Sequence, residues 1–372
     1  MKNIIILTAI VLVLTACRSH DQEIPNTKAI IKIGAILPLS GDLAQYGKSG
    51  KQGLTIALNE FKEYHNDLKV DVIIEDDKAD VKMALSAVNK LLANDNIKII
   101  VGAMTSGVTL GIAPTINDKK ALLIAPTSTA SAVTNAGDYI FRVCVSDTYE
   151  GRSMADYIAK NFTNKHIGVV YINNDYGIGL KQNFIESTKQ NSLSITFENG
   201  YNPTQKDFRT IINKLKSGKI DLLYIVAQKE QVDFFIQCKE LNYKPQFTGS
   251  TMVEDNDLLG QLGDFLNGTL YTYRSYNPTD KGKTTQYFVN AYQKKYNKVP
   301  DFYAASVYDA TKLALQTALD CSANGTDCKA YLYNMEDFNG VTGKIKFDNN
   351  GDVQQGFSIK EIKNGAFQFT NQ

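Results

Sequence analysis

Hydrophobic and polar positions follow two alternating periods along this chain. From Ile30 onward, short runs of β-branched and other apolar residues are followed by stretches that carry apolar residues at helical spacing. Strands that alternate with helices form a parallel sheet with helices on both faces. The first series predicts strands at Ile30–Leu37, Lys69–Glu75, Ile97–Val101, Ala121–Ala125 and Tyr139–Val145, and helices at Gly47–Tyr64, Val81–Ala93 and Gly107–Asn117.

A second series of the same kind follows. It predicts strands at His166–Ile172, Leu193–Phe197, Asp221–Ala227 and Gln246–Gly249, and helices at Ile178–Lys189, Phe208–Leu215 and Val232–Leu241. There remain two amphipathic helices and two strand-like segments, at Lys283–Tyr296, Tyr303–Asp320, Val341–Asp348 and Gly356–Lys363. We therefore predict a first lobe of residues 29–145 and 275–352 and a second lobe of residues 146–274 and 353–372. Several chain crossings between the lobes form a hinge that permits closure around a ligand.

Two loops rich in hydroxyl side chains follow neighbouring strands of the first series. Their sequences are MTSG at 104–107 and PTSTAS at 126–131. Because parallel strands end at the same edge of a sheet, both loops are expected at one ligand-binding edge. A helix start there also exposes N–H donors that hold carboxylate or phosphate oxygens. The alternative is that Ser106 and Thr129 only cap helices, but two such loops in one βαβ unit favour a ligand site.

The length and composition of the chain bear on its number of domains and on its partners. The chain has 372 residues, of which 43% are hydrophobic and 21% are charged, and its net charge is +1. The residues beyond the amino-terminal segment exceed what one hydrophobic core usually supports, which favours two domains. A near-neutral charge gives no support for a nucleic-acid-binding surface, so we expect no nucleic-acid partner.

The amino terminus has the features of a targeting segment. Lys2 is followed by the apolar run Ile4–Val13, which is shorter than the about 20 residues that a membrane span needs. The sequence LTAC that follows resembles the bacterial lipobox, in which the peptide is cut before the cysteine and its thiol receives a lipid. We predict a signal peptide at 1–17, lipidation of Cys17 and a flexible tether at 18–28. An ordinary secretory signal cut nearby is the alternative, and both place the mature chain outside the cytoplasm.

The other cysteines leave their pairing open. Cys321 and Cys328 enclose a short polar loop, so a local disulfide and two free thiols are both compatible with the sequence. Cys144 and Cys238 lie in apolar surroundings, either paired or simply buried. No cysteine pair has zinc-ligand spacing together with histidines, of which the chain has three, and we expect no metal site.

A glycine loop after the first strand contains part of a phosphate-binding motif. Gly47 is followed by Lys48 and Ser49, but five residues separate it from Gly41 where the P-loop has four. The chain contains neither the G-x-S-x-G elbow nor the H-E-x-x-H zinc motif. The carboxylates near strand ends, at 75–77 and Asp175, are typical of loop caps and turns. We therefore predict that the protein is not an enzyme and uses no cofactor.

Seven segments carry a resemblance to a known family, in the family's order and over nearly the whole mature chain. They are IKIGAILPLSGDLAQYGKSGKQGLTIALNE, VGAMTSGVTLGIAP, LLIAPTSTASAVT, FRVCVSDTYEG, IGVVYINNDYGIGL, DFRTIINKLKSGKIDLLYI and VTGKIKFDNNGDVQQGF. The chain resembles the type I periplasmic binding proteins, in particular the leucine/isoleucine/valine-binding branch of ABC-transporter receptors. The resemblance implies an α/β fold of two Rossmann-like lobes with parallel sheets, joined by three chain crossings, with an amino acid or similar small solute in the cleft.

The resemblance also implies which residues contact the ligand. By motif position, Ser106, Thr129 and the Thr127 backbone hold the carboxylate of the ligand, which agrees with the argument from helix starts. Tyr46 in AQYG lines the first lobe, and Tyr176 in NDYGIG comes from the second lobe on closure. Without the motif match, each tyrosine would be interpreted as an ordinary packing or surface residue.

The second lobe departs from the branched-chain pattern at two positions. Gln228 stands where the family commonly has a tyrosine, and Thr251 stands where an acid commonly meets the ammonium of the ligand. A buried ammonium without an acceptor is costly. Either Glu254 or Asp255 supplies the acid from a shifted loop, or the ligand is not an α-amino acid; the alternative for both acids is a solvated helix start. We include Gln228 and Thr251 among the candidate contacts.

The sequence thus predicts a lipid-anchored, extracytoplasmic protein that captures a small amino acid of the branched-chain type, or a related solute, for an ABC importer. Its expected partners are the ligand, an ABC permease and the membrane that holds its lipid. Closure changes the surface that the permease contacts, so capture and the transport signal have one origin. The alternative within this fold is a receptor that reports amides, urea or another small metabolite to a partner protein.

Overall fold

The computed structural model describes residues 30–163, 165–274, 276–325, 327–353 and 356–370. The predicted signal peptide, Cys17 and the tether lie outside the described residues. Within the described ranges, no helix is long and apolar enough to cross a membrane.

The first lobe begins with five strands and three helices. They are β1 (Ile30–Leu37), α1 (Ala44–Tyr64), β2 (Lys69–Asp76), α2 (Val81–Ala93), β3 (Ile99–Val101), α3 (Ser106–Asp118), β4 (Leu122–Ala125) and β5 (Ile140–Arg142). The strands form a parallel sheet in the order β2-β1-β3-β4-β5. Successive residues of β3, such as Ile99 and Ile100, pack into different hydrophobic clusters. Both faces of the sheet are therefore covered, as continuous apolar strand sequences require.

The second lobe contains the next five helices and five strands. They are α4 (Asp147–Asn161), β6 (Ile167–Ile172), α5 (Asp175–Gln190), β7 (Ile195–Tyr201), α6 (Arg209–Ser217), β8 (Leu222–Val226), α7 (Gln231–Glu240), β9 (Gln246–Gly249), α8 (Asn256–Leu262) and β10 (Leu270–Tyr273). The hydrophobic pattern did not predict α4, because its buried face includes the acids Asp147 and Glu150, which interrupt the apolar period. The four-residue strand β10 was also not predicted.

The rest of the chain is divided between the two lobes. Its elements are α9 (Lys283–Tyr296), α10 (Phe302–Asn324), α11 (Cys328–Asn334), β11 (Phe338–Gly340), β12 (Gly343–Ile345), β13 (Ser358–Lys363) and β14 (Ala366–Phe369). α10 packs against α1 and the first sheet. β13 pairs antiparallel with β10, and β14 with β13, to complete a second sheet in the order β14-β13-β10-β9-β8-β6-β7. The chain thus crosses between the lobes three times, and the predicted two-lobed α/β fold is confirmed.

The predicted strand at Val341–Asp348 is confirmed only for the three residues Gly343–Ile345. The structure instead has the short hairpin β11–β12, which ends before Asp348. The buried carboxylate of Asp309, on α10, accepts hydrogen bonds from the backbone N–H groups of Val341 and Thr342 at 2.9 and 2.8 Å and from the Thr342 hydroxyl at 2.6 Å. These bonds hold the backbone of the turn to α10, and no sequence pattern of alternating residues reports such a contact.

The structure shows the pairing of the four cysteines whose state the sequence left undecided. Cys321, near the end of α10, and Cys328, at the start of α11, are joined by a disulfide with their Cα atoms 5.6 Å apart. Cys144 and Cys238 are free and buried, one in each lobe. Burial raises the pKa of the Cys144 thiol to about 11, so this thiol is protonated at neutral pH.

Two of the three crossings are joined by a buried ion pair. Arg142 Nε lies 2.5 Å from Asp352 Oδ1, and Arg142 Nη2 lies 2.6 Å from Asp352 Oδ2. Arg142 is fully buried, and its Nη1 also donates to the carbonyl oxygens of Thr129 and Ala130 at 3.1 and 2.9 Å. The hinge is therefore tied to the second hydroxyl-rich loop of the first lobe. Because 210 residues separate the partners, the sequence analysis did not identify this pair.

Asp77, in the loop after β2, is expected to make stability depend on pH. Burial, with a smaller contribution from the charge of Asp76, raises the pKa of Asp77 from 3.8 to about 6 in the folded protein. Between about pH 4 and 6 the folded state therefore binds more protons than the unfolded state, and the free energy of unfolding falls as pH rises. Asp77→Asn keeps an oxygen that accepts the Ala79 N–H bond and removes the titration.

We expect Asp77→Asn to be more stable than the parent at pH 7 by about 1–3 kcal/mol, and to have a shallower slope between pH 4 and 6. Urea unfolding across this pH range measures both quantities. An unchanged slope together with lower stability at pH 7 would show that the folded protein stabilises the Asp77 carboxylate instead.

Candidate ligand-binding site

A cavity of about 230 Å³ lies between the carboxyl ends of the parallel strands of the two sheets. Six of the seven candidate contacts line it: Tyr46, Ser106, Thr127, Thr129, Tyr176 and Gln228. Thr251 lines a wider neighbouring cavity of about 740 Å³ instead. The two cavities share four lining residues, namely Tyr46, Met252, Arg274 and Tyr303. Residues more than a hundred positions apart are therefore brought to one cleft.

The start of α3 forms one wall of this cavity. Thr105 precedes the helix and makes no side-chain capping bond, and the next residues, Ser106, Gly107 and Val108, line the cavity. The first N–H groups of a helix have no partner within the helix, and they lie at the positive end of its dipole. This end of α3 therefore offers unused donors to a carboxylate.

The second hydroxyl-rich loop packs against the loop before α3. Thr127 Oγ1 donates to the carbonyl oxygen of Met104 at 2.6 Å, and Ser128 Oγ donates to that of Ala103 at 2.9 Å. Ser106 Oγ accepts a hydrogen bond from the backbone N–H of Ala130 at 3.1 Å. The Thr127 hydroxyl is thus already used within the protein, and the contact of its backbone with a ligand stays a prediction.

The second lobe supplies Tyr176 and Gln228. Tyr176 lies in the first turn of α5, whose N-cap residue Asn174 accepts a hydrogen bond from the Gly177 N–H at 2.9 Å. The Tyr176 hydroxyl donates a hydrogen bond to Ser250 Oγ at 2.9 Å. Burial, with the charges of buried acids behind it, raises the pKa of Tyr176 well above its usual range, so the phenol keeps its proton. Gln228 is the second residue after β8, at the same edge of the sheet.

Aromatic residues of the first lobe form an apolar wall. The rings of Tyr46 and Tyr303 have centroids 4.3 Å apart, and Tyr303 stands at the start of α10. The Tyr303 hydroxyl lies 3.2 Å from the sulfur of Met252 in the second lobe. Tyr303 and Met252 were missed by the sequence analysis. The only sequence signal is the position of Tyr303 just after Asp301, which caps a helix and carries no ligand information.

Two buried acids and an arginine lie at the base of the cleft. Glu150 Oε1 accepts hydrogen bonds from the Thr251 N–H at 2.7 Å and the Thr272 hydroxyl at 2.6 Å, and Glu150 Oε2 lies 3.8 Å from Arg274 Nη2. Asp147, one turn away on α4, is also fully buried. Burial and the neighbouring Glu150 carboxylate raise the pKa of Asp147 above its ordinary value. Arg274, directly after β10, lines the cavity, whereas neither acid does.

The loop after β9 supplies no acid to the narrower cavity. Thr251 is held by its backbone to Glu150, and Asp255 accepts hydrogen bonds from the first N–H groups of α8. Glu254 Oε2 lies 2.6 Å from Lys360 Nζ and accepts a bond from the Tyr271 hydroxyl. The helix-start interpretation is therefore correct for Asp255, and Glu254 belongs to an ion pair of the second sheet.

Among the residues that the structure describes, no group of three or more histidine, cysteine, aspartate or glutamate side chains is placed to hold a metal ion. The glycine loop near 41–49 is no phosphate cradle, because Gly47 and Ser49 lie within α1 and the Ser49 hydroxyl donates to Asp301 at 2.6 Å.

Known binding proteins are similar to this chain in sequence. The chain is 27% identical over 329 residues to the Leu/Ile/Val-binding protein of Escherichia coli, covering 87% of this chain and 88% of that one. It is 25% identical over 329 residues to the leucine-, isoleucine-, valine-, threonine- and alanine-binding protein of Pseudomonas aeruginosa, covering 87% of each.

Solved structures have the same fold. The isoleucine complex of the substrate-binding protein LivJ from Streptococcus pneumoniae matches with a TM-score of 0.81 at 24% identity, over 91% of this chain and 98% of that one. A solute-binding protein from Rhodopseudomonas palustris in complex with 3,4-dihydroxybenzoic acid matches with a TM-score of 0.79 at 22% identity, over 89% and 93%. The sequence profile described as periplasmic binding protein matches residues 30–366. The resemblance predicted from the sequence is thus confirmed, and the chain belongs to the periplasmic binding protein family.

Proposed function

We propose that this protein is the extracytoplasmic substrate-binding component of an ABC importer, and that it captures a small amino acid of the branched-chain type or a related carboxylate. One observation carries the proposal: the uncapped start of α3 and the two hydroxyl-rich loops meet in a cavity between two lobes. The names of the relatives support the solute class and the transport role. No catalytic step is proposed, because binding and release suffice for this role.

Capture is proposed to proceed by closure of the lobes about the three-crossing hinge. The ligand carboxylate contacts the first lobe through Ser106, Thr129 and the Thr127 backbone, and the second lobe completes the enclosure through Tyr176 and Gln228. Direct contacts across the cleft favour the closed form: Lys229 Nζ, in the second lobe, lies 3.0 Å from Asp42 Oδ1 in the first. The closed form then presents a different surface to a membrane permease.

We further propose that Cys17 carries the lipid that holds the protein at the bacterial envelope, through the tether at 18–28. This part of the proposal rests on the LTAC sequence alone. A sensory receptor for amides, urea or another small metabolite remains the second candidate function. It is favoured by the loop after β9, which supplies no carboxylate to the narrower cavity for an ammonium.

A thermal-shift and calorimetry screen tests the proposed function. We expect at least one amino acid or small carboxylate to bind saturably and to raise the melting temperature, since it binds only the folded state. Ser106→Ala should weaken that ligand by about ten-fold or more, because a hydrogen bond to a charged group is lost. The melting temperature of each variant with ligand is compared with that of the same variant without ligand. This is needed because Ser106→Ala also removes the oxygen that accepts the Ala130 N–H bond.

Ser217→Ala is the matched control. Ser217 is exposed at the end of α6, and its hydroxyl donates to the Asn213 carbonyl oxygen. We therefore expect Ser217→Ala to bind the ligand with the affinity of the parent. Equal affinities of the Ser106 variant and the parent would contradict the carboxylate site, and chemical turnover of the bound ligand would contradict a pure binding role.

A further inference from the structure

Asp175 supplies the accessible charge of the narrower cavity. Among the residues described, it is the one aspartate or glutamate that lines this cavity, and Arg274 is the one lysine or arginine. The Arg274 guanidinium is buried and already faces an acid, since its Nη2 lies 3.8 Å from Glu150 Oε2. Asp175, in contrast, is exposed, so a ligand can reach its carboxylate. The charge that the cavity offers to a ligand is therefore negative.

The Asp175 carboxylate is not used to hold the fold together. Its sequence position, just after a strand, is typical of a helix cap. In the structure the N-cap residue of α5 is Asn174, whose side chain accepts the Gly177 N–H at 2.9 Å. Within the described part of the chain, no residue forms a hydrogen bond or an ion pair with the Asp175 carboxylate. This carboxylate is therefore free to accept hydrogen bonds from a ligand cation.

Asp175 faces the start of α3 from the other lobe. A Cβ placed on Gly107, the second residue of α3, would lie 3.0 Å from Asp175 Oδ2. The proposed function puts the ligand carboxylate at this helix start. An α-amino acid carries its ammonium and its carboxylate on one carbon, so its ammonium would lie close to Asp175. A ligand with a carboxylate and no ammonium would bring two negative charges together, which is unfavourable.

The other acids near the cleft belong to the wider cavity. Glu254, Asp255 and Asp257 line that cavity and not the narrower one. Glu254 forms an ion pair with Lys360, and Asp255 accepts hydrogen bonds from the first N–H groups of α8. These three acids are the competing acceptors for an ammonium that would extend into the wider cavity.

We propose that Asp175 is a ligand-contacting, specificity-determining residue, whose carboxylate binds the ammonium of an α-amino acid and disfavours acids that lack this ammonium. This inference rests on the proposed function and narrows its solute class. Asp175 belongs to the second lobe and α3 to the first, so the two charged groups of the ligand each contact one lobe. A zwitterion therefore favours the closed form more than a simple carboxylate does.

Matched triplets of probes on the purified protein test this chemistry. Each triplet has an amino acid, its keto acid and the acid with neither group on the same carbon skeleton. The triplets are leucine, ketoisocaproate and isocaproate; alanine, pyruvate and propionate; and glutamate, ketoglutarate and glutarate. In calorimetry, we expect the tightest-binding amino acid to exceed both other members of its triplet by at least about ten-fold. A keto acid or unsubstituted acid that binds as tightly as the amino acid would overturn the inference.

Asp175→Asn removes the charge and keeps the size of the side chain. We expect the amino acid to lose about ten- to a hundred-fold in affinity, whereas its keto acid and unsubstituted acid gain affinity because the like charge is gone. Asp233→Asn is the matched control, because Asp233 lies in the first turn of α7, pairs with Lys206 and lines neither cavity. If Asp175 only stabilised α5, all three probes would weaken by the same factor, and the inference would be wrong.

The outcomes separate the two proposals. If a probe binds, depends on Ser106 and ignores Asp175→Asn, the proposed function holds and the inference is wrong. Loss of the preference for the amino acid in Glu254→Gln or Asp255→Asn, but not in Asp175→Asn, would put the ammonium in the wider cavity and also overturn the inference. If no probe binds saturably, both proposals are contradicted. Should Asp175→Asn fail to fold, the ranking within the triplets on the parent protein decides.

Discussion

Asp352→Ala is expected to lower the free energy of unfolding by about 3–5 kcal/mol, because it leaves the fully buried Arg142 guanidinium without its carboxylate. The pair is bidentate, with N–O distances of 2.5 and 2.6 Å, and Thr134 Oγ1 also donates to Asp352 Oδ2 at 2.7 Å. Removal of one buried charge costs more than the pair contributes, since the remaining charge cannot reach water.

The same variant should also weaken ligand binding. Arg142 Nη1 donates to the carbonyl oxygens of Thr129 and Ala130, so a displaced guanidinium releases the loop that follows β4. We therefore expect a lower melting temperature and a larger dissociation constant in the same protein. Urea unfolding and calorimetry with the ligand from the screen measure the two effects.

Glu240→Ala provides the comparison for this ion pair. Glu240 lies 2.8 Å from Arg209 on the surface, with about half of each side chain exposed. An exposed pair of this kind contributes about 0–1 kcal/mol. If Asp352→Ala cost no more than Glu240→Ala, the Arg142 charge would have to find another buried partner or reach solvent.

Gly53→Ala is expected to destabilise the first lobe by about 3 kcal/mol, although alanine normally favours a helix over glycine by about 1 kcal/mol. Gly53 lies in the middle of α1, where α10 crosses it. A Cβ at this position would lie 1.9 Å from the carbonyl oxygen of Ala304 and 2.7 Å from its carbon. Both are backbone atoms, so the two helices must separate and the core between them must open.

Gly260→Ala is the matched control for the close approach. Gly260 lies within α8, and a Cβ there meets nothing within 4 Å. Only the helix preference remains, so this variant should be more stable than the parent by about 0.5–1 kcal/mol. Equal effects of the two variants in urea unfolding would show that α1 and α10 approach less closely in solution.

The elements that the sequence predicted are those whose burial follows a single period. Strands such as Ile30–Leu37 and Gln246–Gly249, and helices such as Val81–Ala93 and Lys283–Tyr296, have the predicted bounds. α4 escaped prediction because acids occupy its buried face. The predicted strand at 341–348 began in the turn of the hairpin and missed β11, because that turn is held by Asp309, far away in sequence.

For the site, the amino-acid sequence alone identified the residues that follow predicted strands or carry a family motif. Ser106 and Thr129 could be placed at one sheet edge because parallel strands share their carboxyl ends, and the motifs supplied Tyr46 and Tyr176. Only the tertiary structure brought Arg274 to the cleft and placed Glu150 behind it, since their contact depends on how separate elements pack. Local periodicity records which face of an element is buried, whereas the partner across a lobe or a cleft is set by packing between segments far apart in the chain.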